Sequence, residues 1–97
     1  MPELARLKAK MRAARRAAQD QLRKSGYLIL PFDYSVPASF LAIRPHEQRI
    51  VKVAAGDLSP EELRQLAALC NWVVRLTTIE VWTRTDDGAD FEIRRVL

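Results

Sequence analysis

Cysteine, histidine and long apolar runs are all scarce in this chain of 97 residues. Cys70 is the single cysteine, which excludes an intramolecular disulfide and a metal site built from several cysteines. His46 is the single histidine, which disfavours a histidine-based metal centre and Ser-His chemistry. No run of about 18 apolar residues occurs, so we expect no membrane span. Cysteine usage predicts a reducing compartment, the cytoplasm, or the host-cell cytoplasm if the protein is viral.

Positive charge is concentrated in the first 25 residues. The chain holds 16 Lys/Arg and 12 Asp/Glu, for a net charge of +4. Residues 1–25 hold eight basic and two acidic side chains, a net +6, whereas residues 26–97 hold eight basic and ten acidic ones, a net −2. This local surplus indicates an anionic partner for the first segment. Its basic residues are Arg6, Lys8, Lys10, Arg12, Arg15, Arg16, Arg23 and Lys24.

The stretch PELARLKAKMRAARRAAQDQLRKSG predicts one long helix. Its composition favours a helix, and Gly26 is placed as a C-terminal cap. Apolar residues recur every three or four positions and predict one continuous stripe. At about 100° per residue, Arg12, Arg16 and Arg23 fall on the opposite face, whereas Arg15 falls near the edge of the stripe. The stripe consists of Leu4, Leu7, Met11, Ala14, Ala18 and Leu22.

The remaining chain contains several strand patterns and one further helix pattern. YLILPF, SFLAI and RIVKV predict three strands, the last two joined as a hairpin by RPHEQ. LSPEELRQLAALCNW predicts a helix begun by Ser59 and Pro60. VVRLTTIEVWTR predicts one or two strands, and DFEIRRVL predicts the last one, after a DDGA turn. We therefore expect an α/β (α+β) fold with a single mixed sheet flanked by helices, in the order α-β-β-β-α-β-β.

This order and four short motifs resemble the PD-(D/E)XK nucleases, and most of all the archaeal-type Holliday junction resolvases. In that family a helix bearing a Glu ends in a form like LRxxGY before a strand, as LRKSGYLIL does here. An Asp opens the next strand, a strand with E-x-K follows, and a helix then begins near a Ser/Pro/Glu cluster. SFLAIRP, RIVKV and LSPEELRQLAAL match these segments. The resemblance covers roughly residues 10–85 and implies a restriction-endonuclease-like core in a single resolvase-like domain, residues 1–97.

The resemblance also implies a nuclease centre that has lost its acids. The family's carboxylates hold a divalent metal that activates water, assisted by a lysine. Here the position of the helix Glu is Arg15, and that of the Asp is Ser39. The E-x-K segment corresponds to residues 50–52 or 52–54, depending on register, and has no acid at the Glu position in either case. We therefore expect no catalytic residue and no bound metal at the degenerate positions Arg15, Ser39 and Lys52.

Two acids outside these positions leave an active nuclease as an alternative. Asp33, in the loop after the first strand, or Glu47, in the turn, would then supply migrated metal ligands. Mg²⁺ would in that case be the cofactor of an endodeoxyribonuclease. Acids in such loops are more often solvated or turn-forming, so we expect no cofactor.

Nucleic-acid binding without catalysis is the function that the sequence favours. Arg and Lys side chains on one helix face release counterions when they contact phosphates, and such contacts carry no base-sequence information. We predict branched or duplex DNA as the partner, contacted by the eight basic residues of the first segment and by Lys52. The small size is typical of a viral or mobile-element accessory protein of DNA recombination, replication or packaging. The alternative is a structural or protein-interaction protein that reuses the nuclease fold.

Several single residues have a structural interpretation beside a functional one. Lys52 interrupts an apolar strand, either as a residue whose amine reaches solvent or as the remnant of a site. Trp72 and Trp82 are typical of a core or an interface, and the strand of Trp82 is a candidate sheet edge. Because a small domain gains burial by pairing, we expect a homodimer through such an edge or an adjoining helix. We expect His46 in an exposed turn and Cys70 as a buried apolar residue.

Overall fold

A computed structural model describes residues 2–33, 35–72, 77–84 and 90–96, with the side chain of Trp72 excepted. The element order is the predicted one. Residues 73–76, in the predicted VVRLT strand, and the DDGA turn lie outside the described residues, as does the side chain of Trp72. The elements are α1 (Pro2–Lys24), β1 (Leu28–Pro31), β2 (Phe40–Arg44), β3 (Glu47–Ala54), α2 (Pro60–Ala67), a 3₁₀ turn (Ala68–Trp72), β4 (Thr77–Arg84) and β5 (Phe91–Arg95).

The described strands form one five-stranded mixed sheet in the order β1-β2-β3-β4-β5. All neighbouring pairs are antiparallel except β3 and β4, which run parallel on either side of α2 in the chain. The predicted fold class, a mixed sheet flanked by helices, is confirmed. The expectation that the Trp82 strand forms an edge is wrong, because β5 pairs with β4 and places Ile93 opposite Trp82.

Side chains of the sheet alternate between two apolar clusters, one on each face. The α1 face buries residues from α1 and from the first four strands, and Trp82, only 1% exposed, confirms its predicted place in the core. The α2 face buries a second cluster that includes Leu66 of α2. The members of the first cluster are Ala14, Ala18, Leu22, Tyr27, Ile29, Phe40, Ala42, Val51, Val53 and Trp82. Those of the second are Ala38, Ile50, Ala54, Leu66, Ile79 and Val81.

Only the C-terminal half of α1 packs on the sheet. Residues 2–10 are exposed, including Leu4 (53%) and Leu7 (50%), whereas Ala14, Ala18 and Leu22 are buried. A helix of 23 residues is about 34 Å long. The longest strands, of eight residues, span only about 27 Å. The predicted apolar stripe therefore continues beyond the surface that can cover it.

Local signals set the ends of both helices. Gly26 has φ 92°, and the N–H groups of Gly26 and Tyr27 donate to carbonyls of Arg23 and Leu22 at 3.0 and 3.1 Å. This is the Schellman arrangement, which only glycine adopts without strain. In α2, the Ser59 hydroxyl accepts from the Glu62 N–H at 3.1 Å, and the Glu62 carboxylate accepts from the Ser59 N–H at 3.2 Å. This reciprocal pair is a capping box.

The two remaining single-residue expectations have different outcomes. His46 is exposed in the β2–β3 turn, as predicted. Cys70 is exposed, so its predicted burial is wrong. The reason is that α2 ends at Ala67 and the chain tightens into a 3₁₀ turn, which advances about 120° per residue. That change rotates Cys70 away from the buried side of α2, on which a continuous α-helix would have placed it.

Candidate nucleic-acid interface

The basic side chains of α1 are concentrated on one flank of the helix. At about 100° per residue, five of them fall within an arc of about 100° beside the buried stripe. We call this set the basic flank. It extends about 22 Å along the helix axis, the length of about six base pairs of duplex. Its members are Lys8, Arg12, Arg15, Arg16 and Arg23.

The charges of the basic flank are accessible. Lys8, Arg12 and Arg16 are exposed, and Arg15 is half-buried at the edge of the packed stripe. Arg23 forms an ion pair with Asp20 at 3.2 Å. Among the described residues, no carboxylate forms an ion pair with any other member. Four guanidinium or ammonium groups therefore remain available for an anion outside the chain.

The other three basic residues of α1 lie away from this flank. Arg6, Lys10 and Lys24 fall on the opposite side of the helix, and all three are exposed. Within the described part of the chain, none of them forms a salt bridge either. They raise the local positive potential without belonging to the basic flank.

Arg15 and Lys52, two of the three degenerate positions, lie on opposite faces of the sheet. Arg15 lies on α1, above one face of the sheet. Lys52 lies between Val51 and Val53, which both face α1, so strand alternation directs Lys52 to the α2 face. Lys52 therefore lies apart from the basic flank, although the sequence grouped it with the α1 cations.

Ser39, the third degenerate position, has a structural task. Its hydroxyl accepts from the Val53 N–H at 3.0 Å, and its own N–H donates to the Val51 carbonyl at 2.8 Å. These two bonds fasten the start of β2 to the end of β3. The Ser39 hydroxyl thus serves as an acceptor for a backbone N–H of the neighbouring strand. This explains a serine at the position without a metal site.

Asp33 and Glu47, the two acids of the metal-dependent alternative, both accept hydrogen bonds from other residues of the chain. Asp33 accepts from the backbone N–H of Ser35 at 2.8 Å and from its hydroxyl. The bond from the Ser35 hydroxyl and then the bond from its N–H lower the pKa of Asp33. Glu47 accepts from the Tyr27 hydroxyl at 2.7 Å and from Arg44 Nε at 2.7 Å. The Tyr27 bond and then the Arg44 bond lower the pKa of Glu47.

A cluster around Tyr27 is the densest polar network of the described residues. The guanidinium carbons of Arg44 and Arg49 lie 4.6 and 5.2 Å from the Tyr27 ring centroid. Arg49 also donates to Glu47 at 3.2 Å, and Arg44 donates to the Ser25 carbonyl at 3.3 Å. Burial and then the bond to Glu47 raise the pKa of the Tyr27 hydroxyl. The cluster ties the end of α1 to the β2–β3 hairpin.

Sequence reasoning did not find this cluster. Its only local signal is the two-residue alternation of Glu47 and Arg49, which places both side chains on one face of β3. Tyr27 reaches Glu47 across 20 positions of the chain, and no periodicity indicates that contact. Opposite charges within the cluster compensate one another, so it is better suited to hold the fold than to bind an anion.

Among the residues that the structure describes, no group of three or more His, Cys, Asp or Glu side chains is arranged to hold a metal ion. No described helix is long and apolar enough to cross a membrane.

No protein-family model matches the sequence, and no curated protein is significantly similar to it. The family likeness therefore rests on the element order and the quoted motifs.

Proposed function

We propose that this protein binds branched or duplex DNA through backbone contacts made by the basic flank of α1. One observation carries the proposal: four of the five cations in this row have no ion-pair partner among the described residues. Lys8, Arg12 and Arg16 recur every four residues, about 6 Å apart along the helix axis, and this spacing matches a polyanion better than a single small anion. Contacts of this kind position a protein on DNA without reading bases.

Catalytic inactivity is the second part of the proposal. The element order and the parallel β3–β4 pair support a resolvase-like core. By the resemblance, a guanidinium, a hydroxyl and an alkyl or ammonium group stand at the three positions where the family has carboxylates. Both carboxylate oxygens of Glu47 already accept bonds within the chain, which leaves this residue less available to a metal ion. The protein would then act on DNA by binding its shape, as an accessory factor.

Direct binding measurements test the first part. Fluorescence anisotropy with a labelled four-way junction and a matched duplex should give lower affinity for Arg16→Gln than for the native protein, and a larger loss for the double variant R12Q/R16Q. Arg64→Gln is the matched control, since it removes the same charge from an exposed position on α2. Equal losses for Arg16→Gln and Arg64→Gln would show that only net charge matters and would refute a defined interface.

A cleavage assay tests the second part. Branched, flapped and single-stranded DNA should remain intact with Mg²⁺ or Mn²⁺. Cleavage that disappears in Asp33→Asn or Glu47→Gln, while DNA binding persists, would establish the active-nuclease alternative instead.

An interaction protein is the competing function, and the exposed leucines favour it. Leu4 and Leu7 continue the buried stripe of α1 into solvent, and phosphate contacts make no use of them. The double variant L4Q/L7Q leaves every charge in place. Unchanged DNA affinity in that variant is expected from our proposal, whereas an absence of DNA binding in the native protein would favour the competing function.

A further inference from the structure

The sheet has two edges, and β1 is poorly suited to pairing. The Phe32 N–H donates to the Ser39 carbonyl at 3.1 Å, so Phe32, Leu30 and Leu28 direct their backbone groups toward β2. The backbone polar groups of Ile29 and Pro31 then point away from β2, although the Ile29 side chain is buried in the core. Proline has no N–H, so one of the two outward positions cannot donate to another strand. Proline on an edge strand is a known defence against edge-to-edge association.

The opposite edge, β5, has a complete row of outward groups. The Val96 N–H donates to the Ile79 carbonyl at 2.7 Å, which assigns Arg94 and Glu92 to the inward positions. Phe91, Ile93 and Arg95 therefore direct both N–H and C=O away from β4. None of the three is a proline, and each outward group is competent to pair.

We propose that β5 pairs antiparallel with β5 of a second copy of this chain, centred on Ile93. In that register Glu92 lies opposite Arg94 of the second copy, and Arg94 lies opposite Glu92 of the second copy. Two opposite-charge pairs thus form on the α2 face by symmetry. Glu92 and Arg94 are exposed, and neither forms an ion pair with another described residue of its own chain.

The α1 face of the same pairing is also complementary. Ile93, 44% exposed, meets Ile93 of the second copy. Phe91 lies opposite Arg95 of the second copy, and its ring already accepts a cation, since the Arg84 guanidinium lies 6.0 Å from its centroid. Burial of the isoleucine pair and two cation–ring contacts add to the charge pairs.

The charges of Glu92 and Arg94 select one register of the β5–β5 pair. An alternative register still brings the outward N–H and C=O groups of the two copies together only if it differs by an even number of residues. A shift of two positions places Glu92 opposite Glu92 of the second copy, or Arg94 opposite Arg94. Like charges directly opposite each other are destabilising. Centring on Ile93 is the arrangement that avoids both clashes and pairs all five residues of the strand.

The result is a ten-stranded sheet shared by two chains, with a basic flank on each. A strand of five residues buries a small interface, so we expect a dimer that dissociates on dilution. The inference is independent of DNA binding, because it involves a different element.

Sedimentation velocity over a concentration series, with charge-reversal variants, tests this pairing. The native chain should dimerise, and Arg94→Glu or Glu92→Arg should each weaken dimerisation about tenfold, because each replaces two opposite-charge pairs by two like-charge pairs. The double variant E92R/R94E restores opposite charges and should return to within about threefold of the native affinity. Circular dichroism confirms that each variant is folded.

A mixing experiment gives the sharpest outcome. Arg94→Glu chains and Glu92→Arg chains repel their own copies but are complementary to each other, so an equimolar mixture should form heterodimers that neither forms alone. A native chain that stays monomeric at millimolar concentration would overturn the proposal. Dimerisation that is indifferent to both single reversals would overturn it equally, since another surface would then be responsible.

Discussion

The indole N–H of Trp82 donates to the carboxylate of Glu80 at 3.0 Å, two residues earlier on the same strand. Glu80 is the one buried charged residue among those described, at 8% exposure, and its second partner is Arg49 Nη1 at 3.5 Å. A buried carboxylate is stable only when its lone pairs are used. This pair therefore links the core around Trp82 to the polar cluster around Tyr27.

Removal of the Glu80 acceptor should be costly. Glu80→Ala leaves the Trp82 N–H and the Arg49 guanidinium without their buried partner, so we expect the free energy of unfolding to fall by about 1–3 kcal/mol. Glu80→Gln retains an acceptor oxygen for the indole and should lose less. Urea denaturation measures both. Glu61→Ala, at an exposed position on α2, is the control, and an equal loss there would contradict the role of Glu80.

Stability should fall in acid through Glu47. Bonds from Tyr27 and Arg44 hold the folded-state pKa of Glu47 below its ordinary value of 4.5. A carboxyl with a depressed folded pKa stabilises the fold above its unfolded pKa and loses that contribution as pH falls through the folded value. Stability should therefore decline as pH falls below about 4.5. Glu47→Gln should flatten that part of the curve in urea denaturation, and an unchanged curve in this variant would contradict the role of Glu47.

The cluster around Tyr27 also predicts a loss of stability at alkaline pH. The pKa of Tyr27 is raised above 10.0 by burial and by its bond to Glu47. Because the folded pKa of Tyr27 lies above its unfolded pKa, the stability that its neutral hydroxyl contributes is complete below pH 10. That stability is lost as pH rises through the folded pKa. Thermal denaturation between pH 9 and 11 should show this loss, and Tyr27→Phe should remove it. An unchanged profile in Tyr27→Phe would assign the alkaline transition to other groups.

The β2–β3 turn stores backbone strain at His46. This residue has φ 65°, a left-handed conformation that costs a non-glycine residue about 1–2 kcal/mol. His46→Gly should therefore stabilise the protein, by about 0.5–1 kcal/mol after the extra chain entropy of glycine. His46→Val should destabilise it, because a β-branched residue tolerates positive φ poorly. Melting temperatures that move in the opposite directions would contradict the turn geometry.

The contact of α1 with the sheet depends on small residues. Ala18 is fully buried against the sheet, so Ala18→Leu should overpack the core and cost about 1–3 kcal/mol. Ala13→Leu makes the same change at an exposed position of the same helix and should have little effect. Chemical denaturation compares the two. Equal effects would mean that α1 does not pack through its alanine stripe.

Local chemistry made much of the fold predictable. Gly26 and Ser59 mark helix ends through bonds to their immediate neighbours, and the sequence showed both. Strand-forming runs separated by turn signals predicted the strands and the order of elements along the chain. What the sequence did not show depends on distant partners: β5 covers the edge of β4, and Tyr27 reaches Glu47 across the sheet.

The candidate site was predictable in composition but only partly in geometry. The row of cations follows from helical spacing alone, and the structure leaves it exposed. The position of Lys52 was not predictable in the same way, because the face of a strand residue depends on which neighbours are buried. Once Val51 and Val53 face α1, Lys52 is directed to the other side.

The salt dependence of DNA binding is the most direct test of the central claim. Each neutralised phosphate on duplex DNA contributes about −0.9 to the slope of log affinity against log salt concentration. Contacts from Lys8, Arg12, Arg15 and Arg16 predict a slope of about −3 to −4 for the native protein and a slope about two units shallower for R12Q/R16Q. A flat response, or no binding to duplex or junction at low salt, would contradict the account.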